Sequence, residues 1–354
     1  MDTFSYAIPD GNASVVFDRE LSVPALPPTG GIYVADTNTI SLLEASRGFA
    51  AGSPTVVLPA GESSKTLSSV ELILSEALKA GLARDSLFVG FGGGVITDMT
   101  AFAASLYMRG ARLELVPTTL LAMADAAIGG KTGVDFGNYK NCVGTFYPAS
   151  SIRVSIAALG SLPEREFRSG LAEVLKTALL YAPKLYQIMQ ERRDDVLRRD
   201  GELLLEMVKR CVQAKARVVE RDLKESGERM YLNLGHTFAH ALESVAGFGV
   251  VSHGEAVAWG IARALELGCV LGVTDREYRD DVRATLASYG WPTDAVHPAL
   301  ATAGSPENTA RSLLGAMKTD KKKRGGAVRF VLQREINSTF VTEVPDEAVL
   351  GVLS

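Results

Sequence analysis

Excess positive charge, long apolar runs, paired cysteines and histidine are all scarce in this 354-residue chain, and each scarcity closes off a class of function. Lysine and arginine number 37 against 41 acidic residues, a net charge of −4, so the chain as a whole lacks the charge of a nucleic-acid binder. No apolar run reaches the roughly 18 residues a membrane span needs. The nearest candidate, 256–273, carries Arg263 and Glu266 and reads as a buried helix. No nucleic-acid partner and no membrane are therefore expected. Cysteine occurs only at Cys142, Cys211 and Cys269, widely spaced and without CxxC, which predicts reduced thiols in a cytoplasmic protein. The first ten residues lack a basic region followed by an apolar core, so no signal peptide is expected. Internal repeats and low-complexity linkers are absent too. Hydrophobic residues are plentiful, at 47%, enough over this length for a large core and two domains.

In the first half, short β-rich runs alternate with helical patterns. Residues 14–17, 31–35, 55–58, 86–91 and 112–116 are expected strands, and 68–81 and 97–107 carry apolar residues at helical spacing. Such alternation predicts an α/β domain with a parallel, doubly wound, Rossmann-like sheet. After about Ile152 the strand signals nearly vanish. Ser161-Leu-Pro-Glu164 has the residues of a helix start: a Ser cap, Pro in the first turn and Glu three residues on. Helices are expected at 164–182, 184–198, 201–221, 234–246, 254–272 and 276–289, with a late strand at 328–332 returning to a sheet. The expected division is an α/β domain over 1–158 and an all-α domain over 159–354.

The chain has four histidines, and three of them, His236, His240 and His253, fall in or just after the segment 229–243. His236 and His240, four apart, share a face on a helix, and Asn233 and Arg229 continue that face backward. Leu232, Phe238, Ala239 and Leu242 fall elsewhere, so the polar face is expected to line a cavity. Neutral imidazole suits zinc, and a catalytic zinc takes three protein ligands and keeps one position open. A lone HxxxH is more often a pair of hydrogen-bonded surface or core histidines. A third histidine in Ser252-His253-Gly-Glu255, one short loop later, shifts the balance toward metal. Thr237 occupies the place of the general-base Glu in HExxH, so peptide hydrolysis is not expected. Glu173, three residues before Lys176 on one helical face, is a candidate oxygen ligand.

Gly92-Gly93-Gly94 stands between a strand and a helix, where bare backbone amides and a helix N-terminus favour phosphate. It is not GxGxxG, and a glycine triplet alone is more often a tight turn. Asp36-Thr-Asn38 ends an early strand, the place where open α/β sheets bind ligands, although Asp and Asn also favour turns. Gly61-Glu62-Ser-Ser-Lys65 follows another strand. Cations recur at Arg109, Lys131, Lys140, Lys176 and Lys215 and in 318–324. With a metal nearby they suit a substrate carrying phosphate and carboxylate; the bland alternative for the last run is a solvated loop.

Read together, Gly92-Gly-Gly-Val-Ile-Thr-Asp98, Tyr107-Met-Arg109-Gly, Pro117-Thr-Thr-Leu-Leu, Asp125, Gly129-Gly-Lys131-Thr-Gly, Lys140-Asn141, Glu173-Val-Leu-Lys176, Lys224-Glu-Ser-Gly-Glu-Arg229, Leu232-Asn-Leu-Gly-His236-Thr-Phe-Ala-His240, His253-Gly-Glu-Ala-Val and Asp320-Lys-Lys resemble the 3-dehydroquinate synthases, in that family's order. The resemblance implies an NAD-binding α/β domain followed by a helical metal- and substrate-binding domain, as in glycerol and iron-type alcohol dehydrogenases. It implies zinc, with cobalt an alternative, on Glu173, His236 and His253. It implies NAD on Asp36, Asn38, Glu62, Lys65, Gly93, Gly94, Asp98, Thr118 and Thr119, with Asp125, Lys131, Lys140 and Asn141 near the nicotinamide and substrate. Lys176, Lys215, Arg229, Asn233, His240 and Lys321 (or Lys322) would surround a sugar phosphate, and Arg109 would reach the site of a neighbouring subunit in a homodimer. The implied enzyme is an NAD- and metal-dependent carbon–oxygen lyase, a phosphate-eliminating cyclase of the shikimate pathway.

Two positions depart from the family pattern: Thr97 stands where Gly is customary, and Asp135 where Asn is common. The alternatives are another sugar phosphate cyclase of secondary metabolism, or a glycerol-type NAD-dependent dehydrogenase.

Overall fold

A computed structural model describes the chain except residues 1, 10, 138, 248, 302–304 and 323–327, and it leaves out the side chains of 320–322 as well. The chain forms two compact units, Met1–Phe167 with Gly201–Lys224, and Arg168–Asp200 with Glu225–Ser354. The sequence break at 158/159 lies near the end of the first segment, and residues 201–224 group with the first unit.

Among its described residues the first unit holds nine strands: β1 (Asp2–Ile8), β2 (Gly11–Asp18), β3 (Gly31–Asp36), β4 (Thr55–Leu58), β5 (Leu87–Gly92), β6 (Arg112–Pro117), β7 (Val134–Phe136), β8 (Tyr139–Val143) and β9 (Ser151–Ser155). Seven form one sheet in the order β1-β2-β9-β6-β5-β3-β4, while β7 and β8 pair with each other. All pairings in the large sheet are parallel except β1 with β2 at the edge. Every residue of β5 is buried, and β3 is buried up to Asp36, as parallel strands covered on both faces require. From β3 the chain makes β4 on one flank and then crosses to β5 on the other. The carboxyl ends of β3 and β5 therefore flank the topological switch point, where open α/β sheets take ligands.

The helix Gly201–Arg221 buries Leu204, Met207, Val208, Cys211 and Val212, an apolar stripe at helical spacing. Its polar residues tie it to the edge strand: Ala7 N donates to Glu220 Oε1 at 2.8 Å, and Lys209 Nζ lies 2.9 Å from Asp2 Oδ2.

Among its described residues the second unit is helical apart from one hairpin. Its helices include Pro183–Glu191, Arg193–Leu197, His236–Ala246, His253–Val270, Arg276–Ser288, Pro306–Lys322 and Asp346–Gly351, together with Glu164–Tyr181 from Arg168 onward. The late strand expected at 328–332 is β10 (Arg329–Glu335), and it pairs antiparallel with β11 (Ser338–Glu343) as a sheet of two rather than returning to the large sheet. The expected cap at Ser161 is also displaced: Ser161 ends a 3₁₀ turn, its hydroxyl donates to Ala158 O, and the helix starts at Glu164.

Helix His253–Val270 is the core of this unit, with Trp259 and Arg263 buried; Trp259 Nε1 donates to Asp294 O at 2.9 Å and Arg263 Nη1 to Val352 O at 2.9 Å. Its closest packing runs over glycines. A Cβ on Gly260 would sit 2.2 Å from Gly235 O, and one on Gly254 would sit 2.2 Å from Ser169 O. Among the described residues no helix is long and apolar enough to cross a membrane.

Candidate functional site

In the second unit, three helices deliver one cluster. Glu173 lies midway along Glu164–Tyr181, His236 opens His236–Ala246, and His253 opens His253–Val270, whose cap Ser252 accepts from Glu255 N. His236 Nδ1 is 3.3 Å from Leu234 O, which turns Nε2 toward Glu173 Oε1 at 3.7 Å. His253 Nε2 is 3.3 Å from the same oxygen. One donor atom from each of the three residues lies within 4.8 Å of the others.

Both oxygens of Glu173 are buried; Lys176 Nζ lies 2.5 Å from Oε2, while Oε1 faces the two imidazoles. A buried carboxylate oxygen turned to two ring nitrogens is well served by a cation between them. One carboxylate and two imidazoles are also the donor set of a catalytic zinc site with an open position. The residues present fit a divalent ion.

The electrostatics agree with that fit. Burial favours the neutral acid at Glu173, but the Lys176 ammonium and the two rings outweigh it and hold the carboxyl well below its usual range. Burial, with Lys176 beside it, holds His236 well below the ordinary imidazole value, in the neutral form a metal needs. His253 behaves oppositely: burial disfavours its charged ring, yet contacts with Glu173 and Glu243 lift it to about 10. An incoming ion would displace that proton.

The sequence pattern missed Glu243, a buried residue whose Oε1 lies 3.6 Å from His253 Nδ1. Its signal was the seven-residue spacing from His236, two turns along one helix face. Glu225 was missed as well. It accepts from Asn233 Nδ2 at 2.5 Å and lies in an irregular segment where no periodicity marks it.

One expectation needs correction. Arg229 and Asn233 do not share a helix with His236 and His240, because Glu228–Asn233 is a separate 3₁₀ turn and Gly235, at φ +80°, breaks the chain direction before His236. Only glycine takes that conformation without strain. His240 is exposed, its ring 5.5 Å from that of His236, and Arg229 and Lys176 are buried. Lys321 lies in Pro306–Lys322, and its side chain, like that of Lys322, is outside the described residues.

In the first unit, the candidate nucleotide residues gather at the carboxyl ends of β3, β4, β5 and β6. Asp36 Oδ1 accepts from Asn38 N, Thr39 N and Thr39 Oγ1 at 3.0, 2.9 and 2.8 Å, so this oxygen serves the turn that the composition also allowed. Gly93 caps helix Gly94–Leu106, and a Cβ on it would meet Thr119 Cγ2 at 3.0 Å. Bare backbone at a helix N-terminus makes a cradle suited to a dinucleotide phosphate.

Lys65, buried after β4, donates to Asp98 Oδ2 at 2.7 Å and to Asn141 Oδ1 at 2.5 Å. Burial alone would lower the lysine, but Asp98 and Glu62 outweigh it and raise it. Burial pushes Asp98 up against the pull of Lys65. Lys140 Nζ lies 4.0 Å from Glu62 Oε1. Lys215 donates to both the backbone and the carboxylate of Asp125, each at 2.7 Å, on the π-helical turn Ala122–Ala126. Thr118 is buried just past β6, Lys131 is exposed and bridges Phe146, and Arg109 is exposed on a left-handed turn at φ +67°.

The chain matches two family descriptions, 3-dehydroquinate synthase N-terminal over residues 55–169 and 3-dehydroquinate synthase C-terminal over residues 170–323. It is 40% identical over 355 residues to the 3-dehydroquinate synthase of Acidithiobacillus ferrooxidans, covering 99% of this chain and 94% of that one. Among solved structures, the 2-epi-5-epi-valiolone synthase of Streptomyces hygroscopicus, with NAD⁺ and Zn²⁺ bound, is similar at a TM-score of 0.84 and 27% identity over 98% of this chain and 97% of that one. A 2-deoxy-scyllo-inosose synthase complexed with carbaglucose-6-phosphate, NAD⁺ and Co²⁺ shares the fold, at a TM-score of 0.77 and 22% identity over 99% of both chains.

Proposed function

The chain belongs to the 3-dehydroquinate synthase family, and from that premise we propose that it converts 3-deoxy-D-arabino-heptulosonate 7-phosphate to 3-dehydroquinate and phosphate. The observation that carries the reading is the Glu173–His236–His253 cluster, a donor set for a divalent ion with a buried lysine beside it. When bound, zinc or cobalt supplies Lewis-acid polarisation of a substrate hydroxyl, and NAD takes up and returns one hydride. Net oxidation is zero: the transient ketone acidifies the neighbouring C–H, phosphate leaves, the alcohol is restored, and ring opening with aldol closure follows.

The protein's own part is binding, orientation and proton placement. Lys176, held against Glu173, and Lys215, held against Asp125, supply positive charge for a phosphate and carboxylate that otherwise repel. Lys131 and Arg229 add to it, and Asn233 orients the substrate from its bond to Glu225. His240, exposed one turn beyond His236, is placed to move protons at its ring nitrogens. Asp36, Asn38, Glu62, Lys65, Gly93, Gly94, Asp98, Thr118, Thr119, Lys131 and Lys140 hold the dinucleotide, and Asn141 stands near the nicotinamide and the substrate. Positioning does much of the work, since the substrate phosphate can itself take the proton it sits beside. The partners in this reading are the sugar phosphate and a second copy of the chain, in a cytoplasmic homodimer.

The test supplies the heptulosonate phosphate with NAD⁺ and zinc and follows phosphate, dehydroquinate and NADH together. Phosphate and dehydroquinate in equal amounts without NADH build-up are expected. Stoichiometric NADH would make the protein a dehydrogenase, and absence of phosphate release would make its substrate another sugar phosphate.

A further inference from the structure

Asp135, one of the two departures from the family pattern, sits at an irregularity in the small hairpin. The β7–β8 register shifts between Val134 and Phe136, and bulges of this kind re-aim neighbouring side chains. Across the turn, Asn141 is held at φ +52°, in the left-handed region, which Asn tolerates better than most residues but still at a cost. Four hydrogen bonds close around this point. Asn141 N donates to Asp135 Oδ1 at 2.7 Å, and Asp135 N donates to Lys65 O at 2.9 Å. Lys65 Nζ then donates to Asn141 Oδ1 at 2.5 Å and to Asp98 Oδ2 at 2.7 Å. Three separate stretches of chain are thus tied into one ring about a buried ammonium.

We propose that Asp135 is a positioning residue for the nucleotide site: its carboxylate oxygen fixes Asn141 in the left-handed turn from which the Asn141 side chain holds Lys65 against Asp98. This rests on the reading of Lys65 and Asp98 as dinucleotide residues, with Asn141 near the nicotinamide. The required feature is an acceptor at Oδ1, and an asparagine there would also supply one.

Full-length Asp135→Ala and Asp135→Asn proteins are compared with the parent in two measurements. The first is NAD⁺ affinity by calorimetry. Loss of one ordering hydrogen bond is expected to weaken binding about fivefold to tenfold in Asp135→Ala, and Asp135→Asn is expected to stay within about twofold of the parent. The second is hydrogen–deuterium exchange over 139–143, which needs no cofactor; Asp135→Ala exchanges faster there and Asp135→Asn does not. Because the hairpin is largely exposed, Asp135→Ala is expected to melt as one folded protein, and the Asn variant carries the comparison if it does not. Unchanged affinity and exchange in Asp135→Ala would overturn the proposal, as would an Asp135→Asn protein as impaired as Asp135→Ala, since charge would then matter and not the acceptor. If the parent fails to bind NAD⁺, the cofactor reading falls, and the exchange data alone decide whether Asp135 orders the turn.

Discussion

Replacing Gly254 with Ala measures how directly helix packing sets the metal cluster. The new Cβ would stand 2.2 Å from Ser169 O, 2.4 Å from its Cα and 2.6 Å from its carbonyl carbon. All three are backbone atoms that no rotamer change can move. Ordinary contact needs about 3.5 Å, so the two helices must part by about 1 Å. The bond from Gly254 N to Ser169 Oγ, now 2.9 Å, would stretch with them. Ser169 is one turn before Glu173 and Gly254 is next to His253, whose Nε2 is 3.3 Å from Glu173 Oε1. A shift of about 1 Å far exceeds the roughly 0.2 Å tolerance of metal–ligand distances. Overpacking costs about 1–3 kcal/mol of stability, and a misplaced ligand is expected to weaken zinc binding by about tenfold or more. Chelator competition reads the affinity and thermal melting reads the stability. Gly315→Ala is the control: nothing lies within 4 Å of its Cβ position in helix Pro306–Lys322, so it is expected to be neutral or to stabilise by about 0.4–1 kcal/mol. Zinc affinity within twofold of the parent in Gly254→Ala would refute the claim that this contact sets the cluster.

His253→Ala is expected to lose bound metal and activity while its circular dichroism stays native; unchanged metal content by elemental analysis would remove His253 from the ligand set. Glu243→Gln, which weakens the partner of His253 Nδ1, is expected to lower metal affinity by about 10–100-fold with little change in fold. Cobalt-substituted protein should show it as an altered visible spectrum, and an unaltered spectrum would count against any role. If Arg109 serves a neighbouring subunit, an equal mixture of Arg109→Ala and His253→Ala chains, reassembled at random, should regain about a quarter of the parent activity, because each mixed dimer rebuilds one complete site. No recovery in verified mixed dimers would place Arg109 in its own subunit's site.

The parallel core was legible because β3 to β6 are short apolar runs between turn residues, and β5 in particular has no solvent face to obscure it. β1 was not, since only Tyr6 of its seven residues is buried and its pairing depends on a partner strand. β9 is five residues long and carries Arg153, which hides it. Helix Pro306–Lys322 ends in charge that read as a solvated loop, and its helicity shows only once Leu313, Leu314 and Met317 are seen buried. At the site, histidine is so rare that His236, His240 and His253 stood out before any geometry was known, and Glu173 was marked only by its spacing from Lys176 and by the family resemblance. The seven-residue spacing from His236 puts Glu243 on the same helix face, but only the orientation of the His253 ring shows which group it faces. The ring of Lys65, Asp135 and Asn141 closes across 76 residues of chain, beyond the reach of any local pattern.

The first unit is discontinuous, and protein synthesis is not. The edge strand β1 finds its partners Lys209 and Glu220 on a helix that ends at Arg221. At roughly 5–20 residues per second, a ribosome that has finished Phe167 needs roughly three to eleven seconds more to complete Lys224. Until then the nascent hairpin waits half-clothed beside an otherwise finished sheet. A gene cut at residue 167 would leave it in that state for good, and a fragment meant to isolate the nucleotide half must carry the later helix back, fused or supplied in trans.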